Sequence, residues 1–345
     1  MNRYESWLQV LKKEIANAGF FPFSRYMELV LLHPRYGYYS ASPEVFGQDG
    51  DFVTAPELTP FFAYTMAKIF LPTLKESPAI LELGPGSGQF ASDCMAFLAR
   101  QGIQGLTYFL YEKSPLLREK QQHLLAGAPF AIQWLDELPE AFNGVIFANE
   151  FFDSLPVEIV RWDESGAIYE RGVGIGDQGL HWVERIIEEG PLYEAAEALP
   201  VLPPYYSEIH LVAQKVMAKL ASALKKGAMI IVDYGYEEQE YYGPMHDRGT
   251  LICHVRHRAY ENPLRAPGAS DLTSHVNFSA LARIAVQIGL KVESFTTLAQ
   301  FLLQNGFLEH LQGIEPTQLQ KSKYLLDPRL MGERFKVLAM DAPLL

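Results

Sequence analysis

The sequence predicts an α/β fold with a mostly parallel seven-stranded sheet and helices on both of its faces. Two observations lead to this prediction. Short apolar segments have the length of buried strands, and segments with helical spacing alternate with them after residue 78. Strands that are apolar on both sides must be covered on both sides. The alternation is therefore typical of a parallel sheet between two layers of helices.

The strands are expected, in chain order, at AILELG (79–84), TYFLYE (107–112), FAIQW (130–134), GVIFANE (144–150), AMIIVDYG (228–235), KVESFTT (291–297) and RFKVLAM (334–340). The main helices are expected at FASDCMAFLAR (90–100), PLLREKQQHLL (115–125), EIHLVAQKVMAKLASAL (208–224) and NFSALARIAVQIGL (277–290). The third of these is expected to end at Gly227, because glycine commonly stops a helix.

Three regions depart from this alternation. Residues 1–78 are expected to form an N-terminal helical extension with a lid loop, ahead of a sheet domain at 79–345. Residues 160–205 alternate polar and apolar residues around glycine pairs, which predicts a small β meander inserted on the substrate side. The stretch 236–275 is rich in His, Arg and Gly, and is expected to be a long irregular loop.

The composition excludes several classes of protein. The net charge of −12 argues against general nucleic-acid binding, because an acidic surface repels phosphates. Two cysteines, Cys94 and Cys253, favour a reducing compartment over a disulfide framework. The N-terminal segment lacks the features of a signal or transit peptide, and no apolar run is long enough to span a bilayer. We therefore expect a cytoplasmic protein without a membrane span.

The loop GPGSG, between the first expected strand and a helix, predicts a nucleotide-like cofactor. Gly84, Gly86 and Gly88 have the spacing G-x-G-x-G, whereas the dinucleotide fingerprint is G-x-G-x-x-G. Glu82 in front of the loop suits a ligand with a cationic group and would repel a pyrophosphate. These features favour S-adenosylmethionine, and NAD stays as the alternative.

Two residues at the ends of neighbouring strands are expected at the same ligand. Glu112 ends the second strand, where its carboxylate can accept hydrogen bonds from ribose hydroxyls of either cofactor. Trp134 ends the third strand and is a candidate for packing against an adenine ring, although a core position is an equal alternative.

The segment NEFFDSLPVEI after the fourth strand predicts the acceptor side of the site. Paired carboxylates at Glu150 and Asp153 can hold a guanidinium bidentately and align it with a methyl donor. The alternatives are that Asp153 caps a turn before Pro156 and that Glu150 is a solvated surface acid.

Several motifs, in this order, resemble the MidA-like family of class I S-adenosylmethionine-dependent protein arginine methyltransferases, relatives of a mitochondrial complex I assembly factor. The motifs span most of residues 20–285 and are HPRYGYYS, GDFVTAPELTPFF, ILELGPGSGQF, YEKSPLLREKQ, NEFFDSLPVEI, IVDYGY and PGASDLTSHVNFSAL. The resemblance implies a Rossmann-like methyltransferase fold, S-adenosylmethionine as the cofactor and an arginine-bearing protein substrate, for which a respiratory-complex subunit is one candidate. The missing transit peptide points to a bacterial relative.

The resemblance also assigns roles to individual residues. The glycine loop, the ribose acid and the motif after the fourth strand map onto Gly84, Gly86, Gly88, Glu112, Asn149, Glu150 and Asp153. Asp51 and Thr54 are expected in a lid over the methionine end of the cofactor, with an ordinary ordered loop as the alternative. His275 is a candidate proton relay, with a structural histidine as an equal alternative.

Other functions and states are left open at this point. The rivals to a methyltransferase are an NAD-type oxidoreductase and a non-catalytic assembly factor that binds a partner through residues 160–205. The CHVRH segment has no companion ligands at metal-binding spacing, so no metal site is predicted. The oligomeric state is open, with a homodimer as one option.

Overall fold

The computed structural model describes residues 3–15, 19–41, 54–255 and 258–342. The chain forms two compact units, each made of three stretches of sequence. Unit 1 comprises Met1–Pro43, Asp153–Lys215 and Tyr236–Asn277, and unit 2 comprises Glu44–Phe152, Val216–Gly235 and Phe278–Leu345. Among the described residues, no helix has the length and apolar character that crossing a bilayer requires.

The helices, numbered along the chain, are α1 (Arg3–Ile15), α2 (Phe23–Leu32), α3 (Tyr38–Ala41), α4 (Ala55–Leu58), α5 (Pro60–Glu76), α6 (Gln89–Arg100), α7 (Pro115–Leu124), α8 (Pro191–Glu197), α9 (Leu211–Ala223), α10 (Glu238–Tyr241), α11 (Phe278–Ile288), α12 (Leu298–Gln304) and α13 (Pro316–Lys323).

The strands are β1 (Phe21–Pro22), β2 (Ala79–Leu83), β3 (Thr107–Tyr111), β4 (Ala131–Leu135), β5 (Phe142–Asn149), β6 (Glu158–Trp162), β7 (Ile168–Gly176), β8 (Gly179–Ile186), β9 (Tyr205–Ile209), β10 (Leu224–Tyr236), β11 (Ile252–Val255), β12 (Arg258–Tyr260), β13 (Asp271–Thr273), β14 (Val276–Asn277), β15 (Lys291–Thr297) and β16 (Phe335–Asp341).

Unit 2 contains the predicted sheet. Its strands run in the order β15-β16-β10-β5-β2-β3-β4. Strands β10, β5, β2, β3 and β4 are parallel, and β16 is antiparallel to both of its neighbours. Every expected strand of the sheet is present, so the α/β prediction is confirmed. The strand order reverses beside β2, which is where parallel sheets open a crevice for a ligand.

A stack of aromatic rings from helices and strands forms the core of unit 2. Phe90 of α6 lies 4.2 Å from Phe147 of β5, and Phe62 and Phe70 of α5 lie 5.8 Å and 5.7 Å from members of this pair. Helix α5 therefore packs within the sheet unit, which differs from the predicted domain boundary after residue 78. The reason is the apolar face of α5, which must be buried against the sheet.

Unit 1 is built around antiparallel strands. The order β1-β7-β6-β9 forms one sheet, with β8 paired to β7, and β12-β11-β13 forms a second. The antiparallel hairpin β7–β8 occupies the region in which the sequence predicted a meander. The stretch 236–275 was expected to be irregular, whereas the structure finds α10 and the strands β11–β13 there.

The predicted helix at 208–224 was too long. The structure divides this segment into the end of β9 and helix α9, which begins at Leu211 and ends at Ala223. Gly227 is not a helix stop but a residue of β10, with φ +119°. A Cβ there would lie 1.9 Å from the carbonyl oxygen of Gly144 on β5. Gly227 therefore permits a close approach between two strands.

Candidate cofactor and acceptor sites

The glycine loop forms a tight turn between β2 and α6. Gly84, Gly86 and Gly88 all have positive φ, at +60°, +56° and +87°. A Cβ at Gly84 would lie 2.9 Å from Cδ2 of Phe151, and one at Gly88 would lie 3.3 Å from Cγ of Gln121. Both the backbone conformation and the surrounding space therefore require glycine at the two ends of this loop.

A short helix of unit 2 holds the loop in place. Ser87 Oγ donates a hydrogen bond to Glu57 Oε1 and accepts one from Gln89 N–H at 3.2 Å. Thr54 precedes α4, and its carbonyl accepts from Glu57 N–H at 3.0 Å. Thr54 is therefore connected to the loop through Glu57, which binds both Thr54 and Ser87. Asp51, the other expected lid residue, lies outside the described residues.

Gln121 connects three residues around the loop. Its Nε2 donates to the Gly86 carbonyl at 2.8 Å and to Glu112 Oε2 at 3.1 Å, while its Oε1 accepts from Trp134 Nε1 at 3.0 Å. Glu112 Oε1 also accepts from Ser114 N–H at 2.7 Å. The predicted residues Gly86, Glu112 and Trp134 are therefore brought together, and sequence reasoning missed the glutamine that joins them.

The carboxyl of Glu112 is buried but well supplied with donors. Burial raises its pKa from 4.5 to about 7, while the hydrogen bonds from Ser114 and Gln121 and the charge of Arg118 oppose this increase. Its carboxyl therefore changes charge near neutral pH, so that ligand hydroxyls donating to it would favour the ionised form. Trp134 is only half-buried.

Glu82 is buried in the structure, whereas the sequence predicted a carboxylate that attracts a cationic group of the cofactor. Its side chain is buried and accepts a hydrogen bond from the Tyr108 hydroxyl at 2.7 Å. Burial raises its pKa to about 8, so the carboxyl is mostly protonated at neutral pH. The expected attraction of a carboxylate for a cationic cofactor group is thereby weakened. Direct contact of Glu82 with a cofactor stays a prediction.

The turn after β5 is strained at Glu150. Among the described residues, this is the one non-glycine residue with a positive φ, +51°. Such a conformation costs on the order of 1–3 kcal/mol and is found most often at functional sites. Asn149 Nδ2 donates to Glu150 Oε1 at 3.1 Å, and Asp233 Oδ2 accepts from Phe152 N–H at 3.0 Å. These bonds hold the strained turn in unit 2.

Asp153 begins the next stretch of unit 1, where it lies near a second carboxylate. Its carbonyl accepts from Ser274 N–H at 3.0 Å. Tyr39 Oη donates to Asp271 Oδ1 at 2.9 Å. Burial raises the pKa of Tyr39 well above its usual value, and the charges of Asp271 and Asp153 raise it further. Tyr39, Asp153 and Asp271 thus form one acidic cluster, although Tyr39 and Asp271 are far apart in sequence.

His275 is close in sequence to Asp271 of this cluster, and it contacts Thr250 and Tyr236. Its backbone N–H donates to Thr250 Oγ1 at 3.0 Å, and its ring packs edge-on against Tyr236 at 5.0 Å. His210 lies nearby, fully buried, and burial lowers its pKa to about 4. These contacts agree with the structural alternative for His275, and its role as a proton relay stays a prediction. Within the described residues, no group of His, Cys, Asp and Glu is arranged to hold a metal ion.

One of the two residues that sequence reasoning missed, Gln121, carried a signal in the sequence. Gln121 lies four residues after Leu117, and both are on the buried side of α7. A polar side chain on an otherwise apolar helical stripe requires hydrogen-bond partners, which could have marked Gln121 for attention. Tyr39 carried no comparable signal, because its partner Asp271 is on a different part of the chain.

Comparisons with known proteins identify the family and similar structures. The sequence profile of the family Methyltransf_28, described as "Putative S-adenosyl-L-methionine-dependent methyltransferase", matches residues 63–296. A crystal structure of a Burkholderia thailandensis protein bound to S-adenosyl-homocysteine is 36% identical, with a TM-score of 0.92, and the match covers 98% of this chain and 92% of that one.

Curated relatives extend over nearly the whole chain. The human protein named "Protein arginine methyltransferase NDUFAF7, mitochondrial" is 29% identical over 96% of this chain and 82% of its own length. The Drosophila melanogaster homologue is 28% identical over 96% of this chain and 83% of its own length. The family match, together with the strand order and the glycine loop, shows that this chain belongs to the Methyltransf_28 family of S-adenosyl-L-methionine-dependent methyltransferases.

Proposed function

We propose that this protein transfers a methyl group from S-adenosyl-L-methionine to a guanidino nitrogen of arginine in a protein substrate. The observation that carries the proposal is Glu150, whose carboxylate is held on a strained turn directly after β5, the strand next to β2 and its glycine loop. Asp153, in the cluster of unit 1 with Tyr39 and Asp271, stays a predicted second carboxylate. Carboxylates are the natural partners of a guanidinium. The printed names of the curated relatives support the same acceptor.

The residues around the glycine loop fit the cofactor of the family. The three glycines let the loop turn tightly with positive φ, which brings its backbone to the end of β2, where parallel sheets bind their ligands. Glu112 offers a carboxylate for the ribose hydroxyls, and Trp134 offers a partly exposed ring for the adenine. The buried Oδ1 of Asn149 has no hydrogen-bond partner among the described residues. It could therefore accept a hydrogen bond from the cofactor's amino group.

The family assignment decides between the cofactors that the glycine loop alone left open. A dinucleotide site is disfavoured by the spacing of the glycines, and the structurally similar Burkholderia thailandensis protein carries S-adenosyl-homocysteine. The NAD-type oxidoreductase is therefore set aside. The non-catalytic assembly factor stays as the outcome that the test below would reveal.

The cofactor supplies an electrophilic methyl group on a sulfonium sulfur. In the proposed reaction, Glu150 accepts hydrogen bonds from the guanidinium and turns one nitrogen toward that methyl group. An N–C bond forms as the S–C bond breaks, which leaves S-adenosylhomocysteine and a methylated guanidinium with one proton to lose. Glu150 receives this proton. A relay role for Asp153 or His275 stays a prediction.

The test is methyl transfer from isotopically labelled S-adenosyl-L-methionine to cellular proteins, followed by mass spectrometry of modified residues. Labelled methylarginine is expected with the wild-type protein and is expected to disappear with Glu150→Gln. The matched control is Glu164→Gln, because Glu164 is exposed on a turn of unit 1. Label on another residue type, or transfer by Glu150→Gln at the wild-type rate, would contradict the proposal.

A respiratory-complex subunit as substrate, a homodimer and a cytoplasmic location stay predictions. The labelled proteins from the experiment above would identify the substrate. Light scattering of the purified protein would measure its oligomeric state. Fractionation of the source cells would locate it.

A further inference from the structure

One buried side chain touches three parts of the proposed cofactor site. Gln121 of α7 is fully buried, and its amide contacts the backbone of the glycine loop, the ribose acid Glu112 and the indole of Trp134. These three partners lie on segments that are separated along the chain. Each of them is a proposed contact of the cofactor: the glycine loop, the ribose acid and the aromatic ring for the adenine.

The hydrogen bonds fix the orientation of this amide. The indole N–H of Trp134 can only donate, so it must face the amide oxygen of Gln121. The Gly86 carbonyl can only accept, so it must face the amide nitrogen, which also reaches Glu112. Both hydrogens of the Gln121 amide are used. Other side chains of similar length fail this requirement: glutamate lacks the two donors, and methionine lacks the donors and offers only a weak thioether acceptor.

We infer that Gln121 is a positioning residue for the cofactor, which holds Gly86, Glu112 and Trp134 in the arrangement that binds the adenosine part. Gln121 acts through these three residues and need not touch the cofactor itself. The inference rests on the proposed cofactor site, but it is independent of the acceptor. The packing of Gln121 agrees with this role. A Cβ at Gly88 would lie 3.3 Å from Cγ of Gln121, so glycine at this position lets α7 approach the loop closely.

Gln121 also acts on the charge of Glu112. A donor to a carboxylate favours its ionised form, so losing the Gln121 amide should raise the pKa of Glu112 further. The other groups that face Glu112 are the backbone N–H groups of Lys113 and Ser114 and the guanidinium of Arg118. Arg118 also donates to the Glu112 carbonyl at 3.0 Å and pairs with Asp136 at 2.9 Å. None of these contacts is removed by a substitution at Gln121.

The test is isothermal titration of S-adenosylhomocysteine into wild-type protein and Gln121→Met, from pH 6 to pH 8.5. Methionine keeps the length of the side chain and removes its hydrogen bonds. We expect the dissociation constant at pH 7.5 to rise about tenfold, as the loss of buried hydrogen bonds predicts. We also expect the pH of half-maximal affinity to move upward. The matched control is Gln122→Met, at the exposed neighbouring position of the same helix.

The pH profile separates positioning from simple packing, because a packing defect would weaken binding equally at every pH. Wild-type affinity and pH profile in Gln121→Met would overturn the inference. If this variant does not fold, Gln121→Glu replaces it with nearly the same shape, and wild-type affinity there would overturn the inference as well. If Glu112→Gln and Gly86→Val also bind like the wild type, the proposed cofactor site itself fails.

Discussion

The ionisation of Glu112 should make cofactor binding depend on pH in the neutral range. Its pKa of about 7, against 4.5 for an exposed carboxyl, corresponds to about 3 kcal/mol of less favourable ionisation in the folded protein. Only the carboxylate can accept hydrogen bonds from both ribose hydroxyls. The ionised fraction is about 9% at pH 6 and about 91% at pH 8, so the affinity for S-adenosylhomocysteine should increase about tenfold between these values.

The direction of this effect follows from the sign of the shift. A carboxyl whose pKa is raised by burial is protonated below pH 7, so binding must first remove its proton and weakens as the pH falls. Titration calorimetry at pH 6, 7 and 8 measures the effect. In Glu112→Gln the dependence should disappear, and the affinity at pH 8 should be lower than that of the wild type.

The exposed Glu119 on α7 provides a matched control, since Glu119→Gln should keep the wild-type slope. An affinity that stays constant or falls from pH 6 to pH 8 would refute the reasoning. The same conclusion would follow if Glu112→Gln retained the wild-type dependence, because another group would then be responsible for it.

Three further predictions concern the loop, the core and the acceptor side. Gly88→Ala should lose about 1–2 kcal/mol of unfolding free energy from its left-handed backbone and more from contact with Gln121. Gly105→Ala, with φ +67° and open space around it, should show only the backbone part in denaturant titrations. Folding stability should fall as pH rises from about 4.5 to about 8, because Glu82 and Glu112 both bind a proton more tightly when folded, Glu82 over the wider range. Glu82→Gln should make this fall smaller and leave the part that Glu112 contributes, and an unchanged slope would contradict the assignment. Tyr39→Phe should raise the KM for an arginine substrate several-fold through loss of its bond to a carboxylate, while the affinity for S-adenosylhomocysteine stays unchanged. A change in cofactor affinity would argue against that role.

The central sheet could be predicted from the sequence because each strand is a local signal. The segment 291–297 was expected as a strand and forms β15 with the same bounds. The glycine loop was equally accessible, since a strand, a turn and a helix follow directly in the sequence. Helix α9 shows where local signals fail. The apolar residues before Leu211 continue a helical pattern, but they pair with β6 as a strand instead.

The side-chain contacts of the site depend on the register of neighbouring strands and on contacts between residues far apart in sequence. The spacing of residues along the chain does not predict either of them. Glu82 meets Tyr108 because β2 and β3 are adjacent and in a register that pairs Glu82 with Leu110. The sequence showed an acid before a glycine loop but not the tyrosine that it faces. Tyr39 and Asp271 are brought together by the folding of unit 1. Residue types were therefore predictable, whereas charge states and partners required the structure.

A crystal structure of the protein with S-adenosylhomocysteine would test the central claim most directly, which is that unit 2 binds the cofactor at the glycine loop. We predict that the ribose hydroxyls lie within hydrogen-bond distance of Glu112, that the adenine packs against Trp134, and that Gln121 keeps its three hydrogen bonds. A cofactor bound away from residues 84–88, or a ribose held by a residue other than Glu112, would contradict the account.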